Sequence, residues 1–165
     1  MSTIHKFEEI EAWQTARQLT KSVYKLTSSG AFARDFGLKD QMRRASVSIM
    51  SNIAEGFESR TRGLFIEFLG RAKGSAGELR AQFYVAQDAG YLGLAQVKVL
   101  QDQCEKCSSQ ISRFMAYLES NPSYPKRSNV STFKRFNDSD KRSNDSEVSS
   151  PKRSNVPTFK RPSDA

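Results

Sequence analysis

The stretch that decides the fold runs from residue 61 to residue 89 and reads TRGLFIEFLGRAKGSAGELRAQFYVAQDA. Its apolar side chains recur at alternating intervals of four and three residues: Phe65, Leu69, Ala72, Ala76, Leu79, Phe83 and Ala86. This spacing places them along one side of an α-helix, which repeats every 3.6 residues. The stretch therefore predicts a long helix that buries one side against a core.

Three further segments show the same spacing, and serine- and glycine-rich breaks separate them. We expect helices from Phe7 to Thr27, from Leu38 to Phe57 and from Leu94 to Ser120, in addition to the helix from Thr61 to Ala89. No stretch shows the sustained apolar–polar alternation of a half-buried β-strand. Four long helices with short connections predict an all-α fold, an antiparallel up-down four-helix bundle.

The bundle domain is expected to cover residues 1–120, and the composition changes from residue 121 to residue 165. All five prolines lie in this tail, which also repeats PKRSNVSTFKR at 125–135 as PKRSNVPTFKR at 151–161. Such a segment buries too little apolar surface to offset chain entropy, which predicts a disordered, basic, low-complexity tail. The tail is interpreted either as a multivalent basic arm or as a translated DNA repeat without a selected role.

The net charge of +8 and the pI near 9.7 favour anionic partners, with nucleic acid first. The charge is uneven, because residues 1–120 hold 16 Lys or Arg against 13 Asp or Glu, whereas residues 121–165 hold 10 against 5. No apolar run reaches the roughly 18 residues of a membrane span. The first residues lack a basic then apolar signal segment. We therefore expect a cytoplasmic protein with no membrane partner.

The residues that support catalysis or metal binding are scarce in this sequence. Cys104 and Cys107 form a C-x-x-C motif, but a zinc site needs four ligands and His5 is the single histidine. A redox role would require a thioredoxin-like βαβ context, which is absent, so both cysteines are predicted to be core residues. We expect a protein that is not an enzyme and that needs no metal or cofactor.

The second helix carries two apolar stripes, although a helix of a four-helix bundle needs only one inward face. Leu38, Met42 and Ile49 belong to the stripe that is expected to form the core. The other stripe predicts a contact with another subunit, with packing on the preceding loop as the alternative. The predicted oligomer-interface residues are Val47, Met50, Ala54 and Phe57.

Two further rows of residues have more than one interpretation. A polar row on the second helix, which includes Ser48 and Asn52, favours a hydrogen-bond network between helices or subunits, with a polar binding strip as the alternative. On the third helix Gly70, Gly74 and Gly77 each cost about 1 kcal/mol relative to alanine. These glycines predict the close approach of another helix backbone.

Basic side chains of the body cluster loosely on the second and third helices. Repeated around an oligomer, they would form a positive surface that contacts phosphates with little reading of sequence. The candidate nucleic-acid-binding residues are Arg43, Arg44, Arg60, Arg62, Arg71, Lys73 and Arg80.

With the helices placed, three segments resemble a known family. They are FEEIEAWQTA at 7–16, FGLKDQMRRASVSIMSNIAEG at 36–56 and FIEFLGRAKGSAGEL at 65–79. They are similar to the four-helix-bundle proteins first noted inside insertions of 23S ribosomal RNA genes, the intervening-sequence protein family. Ala89-Gly90-Tyr91 matches the last turn of that family. The loop at 30–35 departs from it, because the family usually has Phe-Pro followed by acidic residues there.

The resemblance implies a bundle that assembles into a ring-like homopentamer, which agrees with the two-faced second helix. Arg43 and Arg44 match the family's arginine pair, and Asn52, Glu55 and Gly56 match its Asn-x-x-Glu-Gly, which is interpreted as structural. The resemblance also links this chain to the accessory proteins of diversity-generating retroelements. Those are similar basic bundles that bind nucleic acid and a reverse transcriptase.

Two functions of different classes follow as expectations. The first is a non-enzymatic, homo-oligomeric protein that binds RNA or DNA mainly through phosphate contacts. The second is a structural adaptor for a protein partner such as a polymerase or reverse transcriptase. Binding through phosphates should weaken steeply between about 50 and 200 mM salt, which separates the two. A passenger gene of a ribosomal RNA insertion, without a strong cellular role, is a third possibility.

Overall fold

The computed structural model describes residues 4–121, and all regular elements in this range are helical. Short 3-10 turns at Phe7–Glu9 and Phe32–Arg34 precede the first two of the four long helices. Each long helix packs against two neighbours, so the four surround one core. The long helices are α1, Glu11–Leu26; α2, Phe36–Glu58; α3, Arg62–Asp88; and α4, Leu94–Ser120. The predicted all-α four-helix bundle is confirmed.

Residues 1–3 and 122–165 lie outside the described range, so the predicted tail from residue 121 onward lies outside it except for Asn121. Assembly into a pentamer stays a prediction. None of the helices within residues 4–121 has a stretch long and apolar enough to cross a lipid bilayer.

The core is built from one apolar stripe on each helix. The α3 stripe that the sequence predicted is buried along its whole length, and α4 buries both Cys104 and Cys107. The predicted core position of the two cysteines is therefore confirmed. The buried side chains of α1 are Ala12, Ala16, Leu19 and Val23.

The helix ends differ slightly from the prediction, for local reasons. α1 begins at Glu11 rather than Phe7, because Ile10 has an extended backbone (φ −74°, ψ 118°) that carries its side chain into the core. α2 begins at Phe36 rather than Leu38, because the Asp35 side chain accepts a hydrogen bond from the Leu38 backbone N–H at 3.0 Å. Such an N-cap satisfies one of the unpaired donors at a helix start.

The end of α2 packs tightly on the start of α3. A Cβ atom added at Gly56 would lie 2.6 Å from Phe65 Cδ2 and 2.9 Å from Phe68 Cβ, so only glycine fits there without displacement of a neighbour. Phe57 beside it is 4% exposed, and its ring lies 6.1 Å from that of Phe65. Phe57 is therefore a core residue of its own chain, which corrects its assignment to the oligomer interface.

The close approach of another helix backbone, predicted from the glycines in the middle of α3, is not made by a helix of the part of this chain that the structure describes. A Cβ atom added at Gly70, Gly74 or Gly77 would meet nothing within 4 Å, and all three positions are exposed. The inward stripe of α3 lies on a different side of the helix, so these glycines face outward. The polar row of α2 does tie helices together, because Ser48 Oγ lies 2.9 Å from Ser75 Oγ of α3.

Candidate nucleic-acid interface

The positive charge of the bundle is concentrated on α1 and the first half of α2. Residues 12–48 carry seven Lys or Arg against two Asp or Glu, a net charge of +5, whereas residues 1–120 together carry only +3. The remainder of the bundle is therefore slightly acidic. The net positive charge of the bundle therefore lies within α1, the loop that follows it and the first half of α2.

A row of cations runs along the outer side of α1. Arg17, Lys21 and Lys25 are spaced four residues apart, and all three are exposed. Residues at this spacing lie one above another on a helix. This row is not among the residues predicted from the sequence, although its spacing of four residues is visible there.

The first half of α2 lies beside this row and adds Lys39, Arg43 and Arg44. An open cavity of about 720 Å³ lies on the outer surface of the two helices. It is lined by Tyr24 of α1 and by Asp40, Arg43, Arg44, Val47 and Ser48 of α2. We call this outer surface of the two helices, from Arg17 to Lys25 and from Phe36 to Ser48, the α1–α2 face.

Two exposed aromatic rings on the α1–α2 face are each paired with a cation. Tyr24 is 43% exposed, and the Arg43 guanidinium lies 4.6 Å from its ring centroid. Phe36 is 68% exposed, and the Lys39 ammonium lies 4.2 Å from its ring centroid. Neither ring was selected from the sequence, because apolar spacing alone does not separate an exposed aromatic residue from a core residue.

The Arg43 guanidinium is bonded inside the chain. Its Nε donates to Thr27 Oγ1 at 2.8 Å, and its Nη2 donates to the Thr27 carbonyl oxygen and to Ser28 Oγ, both at 3.2 Å. Arg43, predicted as a phosphate contact, therefore joins the end of α1 to α2. Its neighbour Arg44 is exposed and lines the cavity.

The other predicted basic residues are spread along α3 and its preceding turn. Arg62 Nη1 donates to the Leu118 carbonyl oxygen at 3.2 Å, Arg71 pairs with Glu67 at 2.6 Å, and Arg80 pairs with Glu105 at 2.9 Å. Arg60 and Lys73 are exposed. The structure does not gather these five cations with Arg43 and Arg44 into one cluster.

The four predicted oligomer-interface residues differ in their exposure to solvent. Val47 is 40% exposed, Met50 and Ala54 are partly exposed, and Phe57 belongs to the core. Met50 packs against core residues of its own chain. The stripe that remains available on the surface is therefore centred on Val47, which also lines the cavity.

The cysteine pair has the properties of core residues. Burial raises the pKa of the Cys104 and Cys107 thiols to about 12, and the Cys107 thiol lies 3.6 Å from the Ala12 carbonyl oxygen. A thiol with such a pKa is protonated near neutral pH and is a poor nucleophile and metal ligand. Within residues 4–121, no group of three His, Cys, Asp or Glu side chains is placed to hold a metal ion.

Comparison with known proteins agrees with this architecture. A crystal structure of a protein of unknown function from the S23 ribosomal protein family of Bacteroides thetaiotaomicron is similar, with a TM-score of 0.60 at 16% sequence identity. The similarity covers 64% of this chain and 95% of that chain, and at this identity it shows the fold alone. Comparison with curated proteins finds no match. The model of the 23S rRNA-intervening sequence proteins matches residues 8–113, which include nearly all of the bundle. The chain belongs to the 23S rRNA-intervening sequence protein family.

Proposed function

We propose that this chain is a non-enzymatic, homo-oligomeric protein that binds RNA or DNA mainly through phosphate contacts on the α1–α2 face. The observation that carries the proposal is the net charge of +5 within residues 12–48. A surface that contacts phosphates through several Lys and Arg side chains gains affinity by releasing counterions. Such contacts position a nucleic acid without reading its sequence directly.

Four cations of this face are available to contact phosphates. Arg17, Lys21, Lys25 and Arg44 form no salt bridge with any residue in the range 4–121. Arg71 and Arg80 of α3 are instead neutralised by carboxylates of the same chain. A phosphate that approaches α1 and α2 therefore meets uncompensated charge, whereas one that approaches α3 competes with glutamates.

A homo-oligomer would strengthen this binding, because each copy adds a further α1–α2 face. The resemblance to pentameric bundles supports such an assembly. The basic residues beyond position 120 add a net charge of +5 per copy. Several faces on one assembly bind a long polyanion with a high effective concentration.

The decisive experiment is a salt titration of RNA and duplex-DNA binding by fluorescence anisotropy. The full-length chain is compared with a truncation at Ser120 and with a variant that carries Arg17→Gln, Lys21→Gln and Lys25→Gln. The matched control carries Lys98→Gln, Lys106→Gln and Arg113→Gln, which removes three cations from α4 instead. Both variants remove the same charge, so they differ only in the helix from which it is removed.

We expect the truncated bundle to bind with a steep salt dependence. The α1 variant should reduce the slope of log K against log salt by about 0.9 for each phosphate that is no longer bound, while the α4 control changes the slope little. If binding vanishes with the tail, or if the two charge variants behave alike, the α1–α2 face is not a nucleic-acid surface.

An adaptor for a protein partner such as a reverse transcriptase is the second candidate. Exposed apolar side chains flank the turn between α3 and α4, where Tyr84 is 56%, Val85 52% and Leu94 73% exposed. Exposed apolar patches of this kind mark protein contacts. Binding of a polymerase that persists at high salt and that is abolished by Tyr84→Ala together with Val85→Ser would favour this function.

A further inference from the structure

We infer that the α1–α2 face binds single-stranded RNA, with bases stacked on Tyr24 and Phe36 and a ribose hydroxyl bound by Asp40. The inference rests on the proposed function and deepens it, because phosphate contacts alone do not distinguish single strands from duplexes. Proteins bind single-stranded nucleic acids with cations that contact the phosphate backbone and with exposed aromatic rings on which bases stack. The α1–α2 face has both.

The rings of Tyr24 and Phe36 are both exposed to solvent. Tyr24 and Phe36 keep 43% and 68% of their surface in water, although an aromatic ring gains more by burial than most side chains. The cation beside each ring, Arg43 or Lys39, is bonded to its own chain and not to the ring alone. The remaining ring surface is open to a base.

Both rings are held in place before any ligand arrives. Arg43, which lies over Tyr24, is fixed by its hydrogen bonds to Thr27 and Ser28. Lys39, which lies over Phe36, donates from Nζ to the Ala33 carbonyl oxygen at 3.0 Å. Rings ordered in this way lose little rotamer freedom when a base stacks on them, which favours affinity.

The two rings belong to different helices, Tyr24 to α1 and Phe36 to the start of α2. Phe36 and Arg43 are seven residues apart, so they lie on the same side of the helix about 10 Å apart along its axis. Since Arg43 lies over Tyr24, the two rings are separated by about two helical turns. Tyr24 is one of the residues that line the open cavity of about 720 Å³.

Asp40 is the one carboxylate among the residues that line the cavity. It lines the cavity together with Arg44 and Ser48. A carboxylate accepts hydrogen bonds and repels phosphates. The 2′-hydroxyl of a ribose is a donor that DNA lacks, and it is the group by which a protein distinguishes RNA from DNA. Asp40 therefore favours RNA.

Duplexes cannot use the rings, because their bases are stacked on each other and expose only their edges. Single strands expose base faces, and sequence-tolerant stacking on aromatic side chains is the usual way in which proteins bind them. The face should therefore bind a single-stranded RNA more tightly than an RNA duplex of the same length.

The test uses the full chain and three labelled probes: a mixed-sequence single-stranded RNA, its DNA equivalent and the RNA duplex. Tyr24→Ala and Phe36→Ala should each weaken single-stranded RNA binding by about fivefold or more, with duplex binding unchanged. Tyr24→Phe keeps the ring and should retain affinity. Tyr84→Ala, which removes an exposed tyrosine from α3, is the matched control and should change nothing.

Asp40→Ala tests whether the Asp40 carboxylate binds the ribose hydroxyl or only repels phosphates. It removes a negative charge, so it should strengthen single-stranded DNA binding and abolish the preference for RNA over DNA. A preference that survives in Asp40→Ala overturns the role of Asp40. Equal losses of affinity for the duplex and the single strand in Tyr24→Ala and Phe36→Ala overturn the stacking sites.

Two other outcomes keep the inference separate from the proposed function. If the unaltered chain binds none of the probes, the proposed function itself fails. If the ring variants change the molecular mass measured by light scattering on the same samples, Tyr24 and Phe36 lie in a contact between copies, and the inference is overturned; phosphate binding through Arg17, Lys21 and Lys25 is then decided by the charge variants of α1 and α4. Helix content measured by circular dichroism shows that every variant is folded.

Discussion

Arg43 and Thr27 are joined by two hydrogen bonds that cross from α2 to α1, from Nε to the threonine hydroxyl at 2.8 Å and from Nη2 to its carbonyl oxygen at 3.2 Å. Thr27 is fully buried and follows the last residue of α1, where carbonyl groups lack helical partners. Its hydroxyl also donates to the Val23 carbonyl oxygen at 2.8 Å. Arg43 thus donates a hydrogen bond to the Thr27 carbonyl oxygen at the end of α1 and joins this end to α2.

Replacement of Arg43 should therefore lower stability more than removal of a surface charge does. Arg43→Met keeps the aliphatic part of the side chain but leaves the Thr27 carbonyl oxygen without its donor, which should cost about 1–3 kcal/mol of unfolding free energy. Arg44→Met, at the exposed neighbouring position, should change it by less than about 0.5 kcal/mol. Urea denaturation of both variants measures the difference. Equal stabilities would mean that the bonds of Arg43 contribute nothing.

Gly56 should not tolerate a side chain. Gly56→Ala places a Cβ atom 2.6 Å from the Phe65 ring, and the strain should outweigh the gain of helix propensity by about 1–2 kcal/mol. Gly74→Ala is the matched control, since a Cβ atom there meets nothing within 4 Å. It should raise the unfolding free energy by up to about 1 kcal/mol. Thermal unfolding of both variants tests this, and two shifts of the same sign would refute the packing argument.

The stripe around Val47 predicts how mutation affects assembly. Val47→Glu places a charge on an exposed position of α2, and it should lower the molecular mass of the assembly without a decrease in helix content. Val99→Glu places the same charge on an exposed position of α4 and should leave the mass unchanged. Met50→Glu should also lower the mass, but with lower stability, because Met50 contacts the core. Light scattering measures the molecular mass. If the mass of Val47→Glu is unaltered, this stripe is not part of the contact between copies.

The buried thiols predict a decrease in stability at alkaline pH. An exposed thiol ionises near its ordinary pKa of 9.0, whereas burial raises the pKa of Cys104 and Cys107 to about 12 in the folded chain. Below the lower value both states are protonated, and the thiols contribute their full stability. Between the two values only the unfolded thiols ionise, so rising pH favours unfolding.

The measurement is the unfolding free energy as a function of pH, from neutral to strongly alkaline solution. A variant with Cys104→Ala and Cys107→Ala should be less stable at neutral pH, because it has a cavity. Its stability should nevertheless decline less steeply above pH 9.0 than that of the unaltered chain. Parallel curves would show that ionisation of the thiols does not oppose folding.

The sequence predicted the four helices to within a few residues, because each carries a long apolar stripe with a period of 3.6 residues. α4 was predicted with the same bounds that the structure has, Leu94 and Ser120. The entry to α1 was wrong, because the extended backbone of Ile10 is set by tertiary burial and not by local spacing. Phe57 was misplaced for a similar reason, since the end of α2 packs closely on α3 at Gly56 and brings that ring inside.

The candidate site was less accessible to sequence reasoning than the fold. Arg43 was selected for its charge, but its partner Thr27 is 16 residues away in the sequence and belongs to the end of another helix, and no spacing rule links them. The row of Arg17, Lys21 and Lys25 was visible as a period of four, yet it has no motif that separates it from ordinary solvated charges. Only the packing of α1 on α2 places Tyr24 in the same cavity as Arg43 and Arg44.

The uneven charge along α1 and α2 also has a consequence for the rate of association. Glu8, Glu9 and Glu11 lie around the start of α1, at the same end of the bundle as Glu55 and Glu58 at the end of α2. The bundle therefore has an electric dipole along these two helices, with its positive end near Lys25 and Lys39. This field orients an approaching polyanion before contact, and it acts over a Debye length of about 8 Å at physiological ionic strength. Added salt should therefore lower the association rate constant more than it raises the dissociation rate constant.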